Sequence, residues 1–481
     1  MRWTGGLAAL LTLSFAAGCA TTPAPAPRPA AETAPEPGEI TRSGDPYPST
    51  YRPLPSRPTL IRNATVLTAA GPAIAGGSVL LRDGKVAAVG RDVAAPADAI
   101  VVDAAGRWVT PGVIDVHSHL GVYASPGVDA HGDGNEATDP VTAEVWAEHS
   151  VWPQDPQFPL ALAGGVTSML VLPGSANLIG GRSVTLKNVP ARTVQAMKFP
   201  GAPYGLKMAC GENPKRVYGG RNRAPSTRMG NVAGYRAAFL AAQYYRREWE
   251  EYAESGQEGD EDEEWDDEDD RPEIDLGLET LAGVLAGDIL VHNHCYRADE
   301  MAIMLDLARE FGFKIAAFHH AVEAYKIADL LAAAGTCGAM WADWWGFKME
   351  ALDGIRENIA LVDAAGGGCA IVHSDSAEGI QRLNQEAAKV IGAANRAGIP
   401  VSREQAIRWI TLNPAKAMGI ADLTGSLEPR KMADVVLWSG DPFSVYTKAD
   451  QVYIDGALVY ERGNPALTPR TDFSVGQEGG R

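Results

Sequence analysis

The stretch that most constrains this chain is VTPGVIDVHSHLG, residues 109–121. Apolar, β-prone residues (Val109, Val113, Ile114, Val116) lead into two histidines one residue apart, His117 and His119. On a strand, residues i and i+2 share a face, so both imidazoles can reach one cation. An apolar run that ends in imidazole recurs three more times. His292 and His294 close DILVHNHC, His319 and His320 close KIAAFHH, and His373 follows CAIV, two residues before Asp375. Seven of the nine histidines therefore fall at the ends of predicted strands.

Residues 111–419 alternate short apolar strands with longer helical patterns, as in GVTSMLVLPG, AGYRAAFLAAQYYRREWEEYAE, GDILVHNH and ADEMAIMLDLAREFG. Repeated strand–helix units predict a parallel sheet, and the length suits a (β/α)8 TIM-like barrel of the α/β class. An open doubly wound sheet is the alternative, but no GxGxxG follows an early strand. In a barrel all C-terminal strand ends converge on one mouth. Four imidazole-bearing ends and one carboxylate then form a nitrogen- and oxygen-rich site suited to zinc and neighbouring divalent metals. Segments 58–110 and 420–465, with strand-like runs and Asp-Gly turns, are expected to pair as a small, discontinuous β-sandwich domain.

The ends of the chain read differently. Arg2 precedes the apolar stretch LAALLTLSFAA, and Ala16-Ala17-Gly18-Cys19 resembles the lipobox of bacterial lipoproteins, with Ala16 where a larger aliphatic residue is usual. That resemblance makes residues 1–19 a lipoprotein signal peptide and Cys19 the lipidated residue. It implies an exported protein held to a membrane by a lipid anchor, on the periplasmic or outer-membrane side. A plain secretory signal is the alternative. Residues 20–57 follow as a tether; from Ala20 to Pro37, twelve of eighteen residues are Ala or Pro. Residues 466–481 form a tail.

Residues 258–270 carry eleven acidic side chains and no basic one, most of the formal charge of −18. The run marks a solvated insertion, 256–272, within the barrel; a calcium-binding loop is disfavoured because no regular ligand spacing appears. The acidic balance excludes nucleic acid as a partner. A small-molecule substrate is expected, and a homo-oligomer is left open. Cys210, Cys295, Cys337 and Cys369 are widely spaced, have no CxxC pair and are expected to be buried free thiols.

The strand-end His-x-His, the later histidines and the final Asp resemble the amidohydrolase superfamily, in particular its imidazolonepropionase- and prolidase-like branch. VTPGVIDVHSHL resembles the entry into the first barrel strand, GGVTSMLVLPGSAN the second, and TLNPAKAMGIADLTGSLEPRKMADVVLW the return to the β domain, with Arg430 where glycine is usual. The resemblance implies that His117 and His119 hold one metal and His292 and His320 a second, with His294, His319 and His373 as neighbours in the site. Asp375 would bind the first metal and act as general base. Lys207, as a carboxylated and therefore anionic bridge, is preferred to Glu212 for the fourth-strand ligand. Two divalent ions are implied, zinc first, with manganese, iron or cobalt as alternatives.

The implied activity is hydrolysis of an amide, cyclic amide or peptide-like C–N bond by metal-activated water. A mononuclear deaminase of the same superfamily is the alternative; a non-catalytic binding lipoprotein would need lost ligands, and none of the main positions is missing. Tyr296, Arg297, Tyr325, Asp343, Trp344, Trp345 and Lys348 are candidate substrate contacts, Arg297 or Lys348 being able to hold a carboxylate. Trp344 and Trp345 could equally serve as packing. Asn135, Glu136 and Asn177 join the pocket on resemblance alone.

Overall fold

A computed structural model describes residues 45–255 and 271–467. The signal segment with Cys19, most of the tether, residues 256–270 of the acidic insertion and most of the tail lie outside the described residues. The strands are β1 (Thr59–Val66), β2 (Ile74–Arg82), β3 (Lys85–Gly90), β4 (Ile100–Asp103) and β5 (Trp108–Pro111). They continue with β6 (Val113–Ser118), β7 (Val166–Val171), β8 (Ile179–Lys187), β9 (Gly205–Ala209), β10 (Leu290–Cys295), β11 (Ile315–His320), β12 (Cys337–Met340) and β13 (Ala370–Val372). The last are β14 (Val435–Trp438), β15 (Ala449–Ile454) and β16 (Ala457–Glu461).

The strands form two eight-stranded sheets. One runs β16-β15-β14-β5-β1-β2-β3, with β4 paired to β1. Antiparallel pairing of β14 with β5 joins the N- and C-terminal segments into one small domain. The second sheet runs β13-β12-β11-β10-β9-β8-β7-β6 and curls into the barrel. Its helices pack outside; Tyr235 and Phe239 of the helix Arg228–Ser255 and Met301 and Met304 of the helix Ala298–Phe311 are buried there.

The barrel departs from the expected all-parallel ring at one strand. β8 is antiparallel to both β7 and β9. Only residues 172–178 separate β7 from β8, too few for the crossover that a parallel neighbour needs. Closure between β6 and β13 is also unusual, since no strand ladder joins them. Instead the chain after the helix Arg403–Arg408 wedges in: Val372 N–H donates to the Trp409 carbonyl at 3.0 Å and Ile114 N–H to the Ile410 carbonyl at 2.9 Å. Beside the mouth, Asp375 N–H donates to the His117 carbonyl at 3.1 Å.

Where barrel and β domain meet, Lys187 is fully buried with its ammonium 2.8 Å from Asp455 and 3.2 Å from Asp434. Tyr51 donates to the same Asp455 at 2.5 Å. A buried ammonium is tolerated because its counter-charges are buried with it.

The four barrel cysteines are not free thiols. Cys210 is bonded to Cys295 and Cys337 to Cys369. Sequence separations of 85 and 32 conceal the pairs, but strand neighbourhood creates them. Cys210 N–H donates to the His294 carbonyl at 2.8 Å, and Gly338 N–H to the Cys369 carbonyl at 2.8 Å, setting each pair side by side on adjacent strands. Non-reducing peptide mapping should recover both cross-links. Replacing either pair with serines should lower stability by about 2–5 kcal/mol in chemical denaturation; an unchanged midpoint would contradict the assignment.

Candidate metal centre

Each strand-end histidine reaches one buried cluster at the barrel mouth. His117 is fully buried at the end of β6, its Nε2 3.3 Å from His119 Nε2 and 3.4 Å from Asp375 Oδ1. His119 Nε2 lies 3.3 Å from the same carboxylate oxygen. His119 Nδ1 is 2.9 Å from the Leu172 carbonyl. A carbonyl only accepts, so Nδ1 donates to Leu172 and Nε2 is the ring nitrogen turned toward Asp375. Ligand atoms of His117, His119 and Asp375 lie within 4.8 Å of one another, as do those of His117, His320 and His373. His320 and Asp375 both have positive φ, 69° and 49°. Such backbone is unfavourable for non-glycine residues and is held here because the strand ends turn sharply into the mouth.

The remaining histidines form two arrangements. His319 bridges below the mouth, its Nδ1 2.8 Å from His117 Nδ1 and its Nε2 2.9 Å from His292 Nδ1. His294 is buried with both ring nitrogens lacking a hydrogen-bond partner, and its ring centroid lies 4.5 Å from that of His320. Nδ1 of His320 and of His373 are also buried without a partner. Unpartnered buried nitrogens are costly, and a divalent cation satisfies one nitrogen of each neutral ring through its lone pair. This donor set therefore fits such an ion.

The electrostatics agree. Burial, with the Lys207 charge adding to it, holds His117 well below the ordinary imidazole range. Burial also lowers His294, His319 and His320 strongly, and brings His292 and His373 down to about 3. These rings are neutral at pH 7, the state a metal ligand needs. Burial raises the Asp375 carboxyl, but the hydrogen bond and charge of His119, then His373 and Lys207, outweigh it and hold the acid below its ordinary value. Lys207 is fully buried in β9, and burial pushes its ammonium down to about 8. Its Nζ donates to the Pro173 carbonyl at 2.9 Å.

Other expected contacts sort themselves by position. Glu212 opens the helix Glu212–Gly219, and its Oε1 lies 3.5 Å from Lys348 Nζ. Tyr296 stacks beside His320, centroids 5.1 Å apart, and Lys348 Nζ lies 3.9 Å from the Tyr296 ring centroid. Arg297 instead pairs with Asp299 at 2.9 Å on the surface, and Tyr325 donates to the Asp353 carbonyl at 3.2 Å. Asp343 is paired with Lys389 at 3.2 Å. Asn177 is a buried loop brace that donates to the carbonyls of Glu136 and Asp139, while Asn135 bonds Tyr123 and the Ala176 amide.

Four residues that sequence reasoning passed over matter to the site. Asp115, fully buried, accepts from His117 N–H at 3.1 Å, from Ser374 N–H at 3.2 Å and from the Ser374 hydroxyl. Burial pushes its carboxyl up to about 7. Trp341 stacks on His320 at 4.3 Å, its indole N–H on the Ser374 carbonyl, and Tyr123 packs edge-on to His119. An acid inside an apolar strand, two residues before His117, was the available signal for Asp115.

Comparison with known proteins adds independent findings. The family model described as "Amidohydrolase family" matches residues 326–460. The crystal structure of an amidohydrolase from Thermotoga maritima MSB8 is similar at 36% identity and a TM-score of 0.75, covering 84% of this chain and 100% of that one. An amidohydrolase of Hapsidospora irregularis is 34% identical over 439 residues, 84% of this chain; the chain spans only 43% of that relative's length. An imidazolonepropionase of Mesorhizobium japonicum is 26% identical over 400 residues, 75% of this chain and 86% of its own.

The Asp115–Ser374 contact makes a direct prediction. Ser374→Ala should cost about 1–3 kcal/mol, because it leaves a buried carboxylate oxygen without its donor. Chemical denaturation of the metal-free protein reads the change, and an undiminished midpoint would exclude the clamp.

Proposed function

Because this chain belongs to the amidohydrolase family, we propose that it is a metal-dependent hydrolase of carbon–nitrogen bonds in amide, cyclic amide or peptide-like substrates. The observation that carries the reading is the convergence of neutral, partly unpartnered imidazoles on Asp375. His117, His119 and Asp375 would hold one cation. His320 would hold a second together with His294, whose two unpartnered nitrogens favour it over His292, engaged at Nδ1 by His319. His373 lies close enough to His117 and His320 to contribute. This donor surplus favours two cations over the single ion of a deaminase. Nitrogen and oxygen donors suit zinc first, with manganese, iron or cobalt as competitors.

Divalent cations bound here would supply Lewis acidity and acidify water in the site. The chain supplies the proton handling and the walls. Asp375, ionised and turned into the mouth, accepts a proton from the attacking water and returns it to the leaving nitrogen. His119, its proton fixed on Nδ1 by Leu172, keeps Nε2 facing that carboxylate. Tyr296 and Trp341 wall the far side of His320.

Lys207 is proposed as the bridging ligand in carboxylated form. With its ammonium lowered to about 8, a fraction on the order of one in ten is neutral amine at pH 7. That amine adds to carbon dioxide and loses a proton, leaving a carbamate anion. The ion pair of Glu212 with Lys348 weighs against Glu212 in this role.

The expected location is the periplasmic or outer-membrane side, with lipid on Cys19. Two disulfides support an oxidising compartment.

Asp375→Asn should lower kcat by about 10²–10⁴-fold; full activity with metal retained would refute the base assignment. Elemental analysis should find two ions per chain, falling toward one in His294→Ala but not in His292→Ala. Cys19→Ser should move the protein from the membrane to the soluble fraction, and unchanged fractionation would refute the anchor.

A further inference from the structure

The loop after β12 carries an aromatic surface that runs directly out of the metal centre. Trp341 lies on His320, Trp344 stacks on Trp341 at 5.4 Å and 29°, and Phe347 meets both Trp341 and Tyr296 edge-on, at 5.8 and 6.3 Å. The outer members are open: Trp344 is 44% exposed and Phe347 58%. Trp345 differs, because it is packed in place. A Cβ on Gly354 would fall 2.6 Å from its Cβ, and the Arg356 guanidinium lies 5.3 Å from its ring. Trp345, 36% exposed, is thus held more by the loop's own packing, whereas Trp344 and Phe347 present more open ring surface. Large apolar groups left open beside a buried polar centre mark a ligand surface.

Charge beside this wall is already balanced. The Lys348 ammonium has Glu212 at 3.5 Å, Glu350 at 3.6 Å and the Asn213 amide oxygen at 3.2 Å. Arg228, 2.8 Å from Glu300, also pairs with Glu350. With the Arg216 charge, which also acts on Lys348, three cations stand among three carboxylates, so the flank is balanced without excess positive charge for a substrate carboxylate at Lys348. The expectation that Lys348 holds a carboxylate loses its basis, and an uncharged aromatic group fits the wall instead.

Resting on the hydrolase reading above, we propose that the substrate carries an uncharged aromatic or large apolar group next to its scissile C–N bond. This group docks against Trp344 and Phe347, in line from His320 through Trp341. Trp344 and Phe347 are specificity-determining residues, with the Lys348–Glu212–Glu350 cluster fixing the flank without binding an anion.

Three uncharged probes test this on the metal-loaded full chain: N-methylacetamide, N-methylbenzamide with the ring on the acyl side, and N-benzylacetamide with the ring on the leaving side. At least one aromatic probe should exceed N-methylacetamide in kcat/KM by about tenfold or more, mostly through KM. The ratio should fall toward one in Trp344→Leu and in the double variant Trp344→Ala, Phe347→Ala. A ratio near one in the wild type, or one undiminished in the folded variants, overturns the subsite. Exposure of both side chains makes folding of the single variant the control for the double. Calorimetric titration of the same probes separates the two readings. Tighter binding of the aromatic probes without any hydrolysis upholds the subsite and removes the hydrolase; equal, weak binding without hydrolysis removes both.

Discussion

The site depends on how the barrel is closed. Between β6 and β13 no ladder exists, so the ends bearing His117 and Asp375 are registered by side-chain and main-chain bonds. The Asp115 carboxylate collects three donors, two from Ser374 and one from His117, and the Asp375 amide reaches the His117 carbonyl. Below them Trp409 and Ile410 fill the gap and satisfy the amides of Val372 and Ile114. A buried acid is retained because its acceptors are used. One carboxylate thus ties the first and last strands of the ring and sets the distance between a candidate ligand and the candidate base.

Electrostatics follow from the same enclosure. Packing this many imidazoles together would be prohibitive if they were charged, and desolvation removes the charge. The neutral rings then offer lone pairs at pH 7, while His119 and its neighbours hold Asp375 ionised among them. The positive φ of His320 and Asp375 is the local conformational cost of aiming two strand ends at one point.

Much of this was legible in the sequence because strand ends in a barrel converge whatever the loops do. Four apolar runs ending in histidine were enough to foresee that these side chains gather at one mouth, and the paired terminal segments foretold the small β domain. Contacts between strands distant in sequence were not legible. The disulfides are the plainest case, since Cys210 and Cys295 meet only because β9 and β10 are neighbours. The reversal of β8 was readable in principle from its short link to β7. The division between His292 and His294 was hidden, for alternation places both on one face and only the ring of His319 separates their surroundings.

Among the described residues two lysines are fully buried, and the contrast between them bears on the chemistry. Lys187 has two carboxylates within 3.2 Å, so its charge is compensated in place. Lys207 has, among the described residues, only the Pro173 carbonyl as a hydrogen-bond partner, with Asp375 as an electrostatic partner, and burial drives its ammonium toward the neutral form. A buried ammonium without a carboxylate partner destabilises the fold, and Lys207 stands in the middle of β9 facing neutral imidazoles. The proposed carbamate would remove the anomaly, because it would exchange an uncompensated cation for an anion in a site whose donors suit cations. The same burial that makes Lys207 costly as an ammonium makes its amine reactive, so the defect and the proposed remedy have one cause.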